Sequence, residues 1–423
     1  MEKFYRQALE NDKKDELYGF RYNFVDDENL IYLDGNSLGK LPVRTRELMS
    51  DVIKGQWGKR LIRSWNENWM DLSSKVAGKI AKIVGAREDE IFVGDSTSLN
   101  LYKLAFSALK ANSGRQKIIS DELNFPTDLY VLQGLVDQHF QKHNIKLLTS
   151  EDGITIEDHH LQEELDDDTA LLSLSHVAFR SSFMYDMKRV NEMAMDKEIY
   201  VVWDLSHAAG AVPVNLNDTG ADMAVGCTYK YLNGGPGAPA FLYVRKDLQE
   251  KLVNPIWAWF AHEKPFDFDL NFSADPGIQK FAIGTPAVLS LSAIEPGCDL
   301  ILQAGMDRLR KKSLKQSRFL INMIKELLSP LGFRLATPLD NDLRGSHVTV
   351  QHPEGYRINR AMIEPEPDVM PVIPDFRPPN NIRLGIAPLY NSFMDLYYTV
   401  ERIKQIVETK EYERFSQERM DVT

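Results

Sequence analysis

Between residues 91 and 244 the chain alternates short, continuous apolar runs with segments of helical period. Ile91-Phe92-Val93-Gly94, Lys117-Ile118-Ile119, Lys146 to Thr149, Ala170 to Leu174, Ile199 to Trp203, Met223 to Val225 and Ala240 to Val244 read as strands. Helices are predicted between them: Leu99 to Leu109 behind the cap-type residues Asp95-Ser96-Thr97-Ser98, Pro126 to Phe140 with its proline at an early position, and Met187 to Asp196. Because several of these strands are apolar throughout, they predict a mainly parallel sheet covered by helices on both faces, an α/β fold. From Leu289 the texture changes to long helices, Leu289 to Leu309 and Lys315 to Leu328. Strands at Phe333 to Ala336, His347 to Gln351 and Ile382 to Leu384 come next, with a closing helix at Phe393 to Ile406. The expected organisation is a segment 1–45 packing with a small domain, a large α/β domain over 46–300, and a small α+β domain over 301–423. The stretch Glu364 to Pro379, with prolines at 365, 367, 371, 374, 378 and 379, is expected to be a loop.

At 423 residues the chain suits two or three domains. Its 50 Lys+Arg against 61 Asp+Glu leave a net charge of −11, which argues against a nucleic acid or an anionic membrane as the main partner. Two cysteines, Cys227 and Cys298, are too few for a disulfide framework and fit a reducing compartment. The charged N-terminus has no apolar core of a signal peptide, and no apolar run of about 18 residues occurs. The matches to N-x-S/T at Asn217 and Asn271 are then chance. A cytoplasmic protein is expected, with no metal.

The strongest chemical signal is Val201-Val202-Trp203-Asp204-Leu205-Ser206-His207, followed 26 residues after Asp204 by Lys230. An acid at the C-terminal end of a buried parallel strand points into the crevice where such sheets bind ligands. Lys230 follows another short apolar strand and precedes the glycine-rich turn Asn233-Gly234-Gly235-Pro236-Gly237. A carboxylate for a heterocyclic nitrogen and a Schiff-base lysine are what pyridoxal 5'-phosphate (PLP) requires. Its phosphate would suit the helix start at Asp95 to Ser98, since no Walker pattern occurs, and Phe125 offers a ring to stack on it. Each residue alone has an ordinary structural explanation, as a strand-end cap, an exposed lysine, a helix cap or a core phenylalanine. Their conjunction is what points to PLP.

The chain resembles the kynureninase family, within the fold-type-I PLP enzymes. The matching segments are Leu33 to Gly39, Asp95 to Leu101, Asn124 to Asp128, Trp203 to His207, Tyr229 to Asn233, Trp259-Phe260 with His262, Gly284-Thr285-Pro286, Arg344-Gly345-Ser346 and Ala387 to Ser392. The resemblance implies that Lys230 carries the cofactor, Asp204 pairs with its ring nitrogen beside Asp128, and His207 lies near its phenolic oxygen. It also implies that Phe125 stacks on the ring, Ser175 lies alongside, and Thr97, Ser98 and Tyr229 hold the phosphate. Arg383 would clamp the substrate α-carboxylate, with Asn36 and Ser37 in the substrate pocket. Trp259 and Thr285 would reach the phosphate of a partner subunit, which implies a homodimer with shared active sites. The implied activity is hydrolysis of L-kynurenine or 3-hydroxykynurenine to an anthranilate and L-alanine, a step of tryptophan catabolism and of the kynurenine pathway toward NAD. Tyr229 would assist protonation of the product.

Three departures bear on the substrate side. Ser181-Ser182 stands where a Thr-Gly pair is expected, Ala258 and Ala261 flank Trp259 in place of glycines, and the Pro-rich stretch looks expanded. Trp57 to Trp65 could line a substrate pocket or pack as a helix face. The competing enzyme reading is another fold-type-I lyase, a desulfurase or an aldolase, for which Cys227 and Cys298 are the available thiols. A catalytically idle PLP-binding homologue is disfavoured by the joint presence of Lys230, Asp204 and Arg383.

Overall fold

The apolar runs form one seven-stranded sheet in the computed structural model, which describes residues 1–25 and 29–419. Its strands are β1 (Ile91–Val93), β2 (Lys117–Asp121), β3 (Asn144–Leu148), β4 (Thr169–Ser175), β5 (Tyr200–Asp204), β6 (Met223–Gly226) and β7 (Phe241–Val244). The spatial order is β1-β7-β6-β5-β4-β2-β3. Pairs from β6 to β3 are parallel, and β7 alone runs against its neighbours β6 and β1. Residues of β4 are buried on both faces, as its largely apolar sequence predicts. Trp203 and Val201 turn toward the core under helices Leu72–Val84, Met187–Met195 and Val288–Ala304. Val202 turns the other way, toward Thr97–Ala111 and Pro126–Gln138. Each such large side chain contributes about 1.5–3 kcal/mol on burial, so the sheet is held from both sides.

A second sheet comprises β8 (Arg334–Leu335), β9 (His347–Gln351), β10 (Asp375–Arg377) and β11 (Asn381–Gly385), antiparallel in the order β10-β11-β9-β8. Its core is separate. It gathers Val348, Ile382 and Leu384 with residues of helices Met306–Met323, Gly355–Ile363 and Phe393–Glu408, and Phe4 and Ala8 of the N-terminal helix Glu2–Lys13 join it.

Two expectations change. The helix read as Leu289 to Leu309 is broken at Gly305, whose φ of 79° ends one helix at Ala304 and lets the next begin at Met306. The Pro-rich stretch is not wholly a loop, because it contains β10 and a short strand at Val372–Ile373. The latter pairs in parallel with Ile31–Tyr32. Pro371 takes part through its carbonyl, which accepts from Ile31 N, so its missing N–H costs nothing there. Among the described residues no helix is long and apolar enough to cross a membrane.

Candidate active site

The parallel strands deliver the chemistry to one edge. Asp204 is the last residue of β5 and lies in register with Ser175, the last residue of β4. Asp128 sits in the first turn of helix Pro126–Gln138, which Phe125 caps. Thr97 and Ser98 open helix Thr97–Ala111. The Ser96 hydroxyl there accepts from Leu99 N, and the amides of Thr97 and Ser98 have no place in the helical ladder. These residues, with His207, Tyr229 and Lys230, line one cavity of about 420 Å³.

Lys230 lies in the loop that leaves β6 and returns as β7. That loop is pinned internally by Asn233 N to Lys230 O (2.9 Å), Gly234 N to Thr228 O (2.9 Å) and Thr228 Oγ1 to Pro239 O (2.6 Å). From outside, Gly39 N donates to Tyr229 O at 2.8 Å, and a side chain at Gly39 would collide with the Lys230 carbonyl. The Leu33 to Gly39 motif therefore buttresses the lysine loop.

The electrostatics of the cavity are set by burial. Lys230 Nζ lies 2.9 Å from His207 Nε2. Burial, with Lys230 next, holds the His207 imidazole well below its usual range, so the ring is neutral. With Lys230 as donor the ring proton sits on Nδ1, which is buried and has no protein partner. Burial and the neighbouring Asp204 push Asp128 well above the usual carboxylate range. Two carboxylates in contact cannot both ionise cheaply, and it is Asp128 that is held protonated. Asp204 Oδ1 also accepts from Ser206 N at 2.7 Å. Burial keeps the Tyr229 phenol above its ordinary value and protonated. The Phe125 ring is partly open to the cavity and meets Phe179 edge-on at 5.2 Å.

Other candidates lie elsewhere. Arg383, on β11, is buried behind the cavity and bonds Asp375, Ser37 and the Phe179 carbonyl. Asn36 is buried against Gly385, where any Cβ would strike its amide. Thr285 lines an adjoining cavity of about 430 Å³ that shares Asp95 and Gly237 with the first. Trp259 stands in an aromatic flap with Trp257, Phe266 and Phe268. The Trp57 to Trp65 stretch does not line the Lys230 cavity. Trp57 is largely exposed, and Trp65 packs on Trp69 and Phe260. Thr127 and Ser206 line the cavity too, although their residue types alone suggest no role. Their positions inside two of the matching motifs are the available signal.

The Ser181-Ser182 departure has a local cost. Ser182 has φ of 68°, the left-handed region that favours glycine, and its hydroxyl is buried without a partner. Ser182→Gly is expected to stabilise the fold by about 1 kcal/mol, relieving the backbone and removing an unsatisfied hydroxyl. Thermal unfolding checks this, and an unchanged or lower midpoint would contradict it.

The donor set fits a phosphorylated pyridine aldehyde. A carboxylate at a strand end beside a protonated Asp128 can face the ring nitrogen, an amine is at hand, an open helix start awaits an anion, and His207 has an orphaned nitrogen. Residues 309–403 match the family model described as the kynureninase C-terminal domain. A kynureninase of Pseudomonas fluorescens is 38% identical over 408 residues, covering 95% of each chain. One from Burkholderia mallei (strain SAVP1) is 38% identical over 409 residues, covering 96% of this chain and 95% of its own. Among solved structures, the apo cysteine desulfurase of Thermococcus onnurineus NA1 superposes with a TM-score of 0.79 at 18% identity, covering 92% of this chain and 98% of that one. A C-DES variant with glycine covalently linked to its PLP cofactor gives 0.78 at 14% identity, covering 91% and 98%. At such identities these two establish the fold, that of fold-type-I PLP enzymes.

Proposed function

Because the chain belongs to the kynureninase family, we propose that it is a PLP-dependent hydrolase. It cuts the Cβ–Cγ bond of L-kynurenine, or of its 3-hydroxy form, to give the corresponding anthranilate and L-alanine, consuming one water. The observation that carries this reading is the convergence of Lys230, His207, Asp204 and Asp128 on one cavity. When bound, PLP supplies the electron sink for negative charge at the substrate α-carbon.

The chain's own residues do the rest. Lys230 takes the α-proton, and its neutral neighbour His207 accepts a hydrogen bond without adding charge. Asp204 would keep the ring nitrogen positively charged, while Asp128 stays neutral beside Asp204. Thr97, Ser98 and Tyr229 would hold the phosphate, and Phe125 and Ser175 would hold the ring. Tyr229, kept protonated by burial, supplies a proton at Cβ after cleavage. Arg383 receives the α-carboxylate, with Asn36 and Ser37 on the same side. The purified protein is expected to be yellow, to lose its colour with borohydride and to release fluorescent anthranilate from kynurenine. A yellow protein inert toward both kynurenines would overturn the reading.

The desulfurase alternative needs a reactive thiolate. Both cysteines are buried, and burial raises the Cys227 thiol and pushes Cys298 up to about 12, so neither supplies one.

We further infer a homodimer, a division at about residue 300 between the cofactor-binding part and the small domain, and a cytoplasmic location. The flap around Trp259 supports the dimer. Trp257, Phe266 and Phe268 are more than half exposed and Leu270 is 99% exposed, an apolar surface costly to leave in water. Trp259 and Thr285 lie outside their own subunit's cofactor cavity, which suits contacts donated across an interface. Leu270→Asp is expected to shift the protein from dimer to monomer in sedimentation and to weaken PLP retention. A parent protein that already sediments as a monomer would refute the shared site.

A further inference from the structure

Arg383 is held in an asymmetric way. It faces Asp375 directly across the β10–β11 ladder. Its Nε donates to Asp375 Oδ2 at 2.6 Å, and Nη2 makes a second, shorter bond to the same oxygen. The other Asp375 oxygen, Oδ1, lies 3.2 Å from Arg377 Nη1. The side edge of the Arg383 guanidinium is thus bound by a carboxylate that is 2% exposed. Its end edge has only neutral acceptors, the Ser37 hydroxyl on Nη2 at 3.0 Å and the Phe179 carbonyl on Nη1 at 2.6 Å. A guanidinium has five N–H bonds in a fixed plane, so fixing one edge fixes the direction of the other.

We propose that Asp375 is a positioning residue for substrate recognition: it locks the side edge of Arg383 so that the end edge meets the α-carboxylate, while the Ser37 hydroxyl keeps the place the carboxylate takes. This rests on the reading that Arg383 receives that carboxylate. Arg383 and Arg377 face Asp375 and Asp34, and burial followed by Asp375 raises Asp34 above the usual carboxylate range. His207 and His347 are held neutral by burial, burial also raises the phenols of Tyr32 and Tyr231, and Lys230 is a further cation beside the two histidines. Removing the Asp375 charge would leave the two guanidiniums facing each other and free Arg383 to turn its preferred edge away.

The test uses the PLP-loaded enzyme. Asp375→Asn is expected to raise KM for kynurenine about 10- to 100-fold, as befits loss of a charge-assisted pair, with kcat within about threefold. Asp375→Glu, which keeps the charge one methylene away, should show a smaller rise, and it serves if the asparagine variant fails to fold. The second readout is binding of the decarboxylated amine of kynurenine, monitored by the cofactor absorbance. Its affinity should be unchanged in both variants, because no carboxylate is there to be read. Equal losses for kynurenine and for that amine, or a fall in kcat with KM unchanged, would overturn the proposal. An Arg383→Lys variant separates the two levels. If KM ignores Arg383, the carboxylate site is elsewhere and the underlying reading fails. If KM depends on Arg383 and ignores Asp375, only the positioning role fails.

Discussion

Lys230→Ala is expected to lower anthranilate release by about 10⁴-fold, the upper range for loss of a positioned general acid–base. The neighbourhood sets the size. His207 is the nearest basic nitrogen, 2.9 Å away, and burial holds it neutral. Its other ring nitrogen, Nδ1, has no acidic partner to make it a stronger base. Asp128 cannot replace the lysine either, because burial and the neighbouring Asp204 keep it protonated. Single-turnover fluorescence on protein reconstituted with PLP checks this, with unfolding compared to show that the variant folds. A variant within tenfold of the parent rate would remove Lys230 from the chemistry.

Asp204→Asn is expected to cost about 10²–10³-fold in kcat, on the scale of removing one preorganised electrostatic contact from a site of low polarity. The asparagine keeps an oxygen for Ser206 N, so the strand end remains in place and the loss reads the missing charge. Asp128→Asn makes the contrast. Its carboxyl is already neutral, so an amide resembles the native state and the rate should stay within about tenfold. Equal losses in the two variants would mean that the pair acts as a unit. A larger loss at Asp128 would exchange the two roles.

Much of this site is legible in the sequence because its residues sit at or just beyond the C-terminal ends of short apolar strands bounded by turn signals. The largely apolar runs Ala170 to Leu174, Ile199 to Trp203 and Met223 to Val225 read as buried parallel strands, and the residues at their C-terminal ends emerge at one edge. The cap cluster Asp95 to Ser98 is equally readable, since its residue types do their work locally. The hidden features depend on partners distant in sequence. The two-residue strands Ile31–Tyr32 and Val372–Ile373 exist only because each pairs with the other, and two residues carry no period. Asp375 is masked by prolines that sit beside the ladder rather than in it. The break at Gly305 escapes pattern reading because a glycine inside an apolar helical pattern is tolerated as often as it ends one. Ser182 shows itself only as a departure from expectation, and its positive φ gives that departure a physical meaning.

The pinned loop between β6 and β7 constrains how Lys230 can work. Residues that move protons commonly ride on mobile segments, yet here the peptide carrying the lysine is bonded within its own turn and against Gly39. Whatever distance Nζ covers between its partners must come from rotation about the bonds of its own side chain. Such rotations are many orders of magnitude faster than turnover. Movement of the lysine side chain therefore does not set the pace of the catalytic cycle.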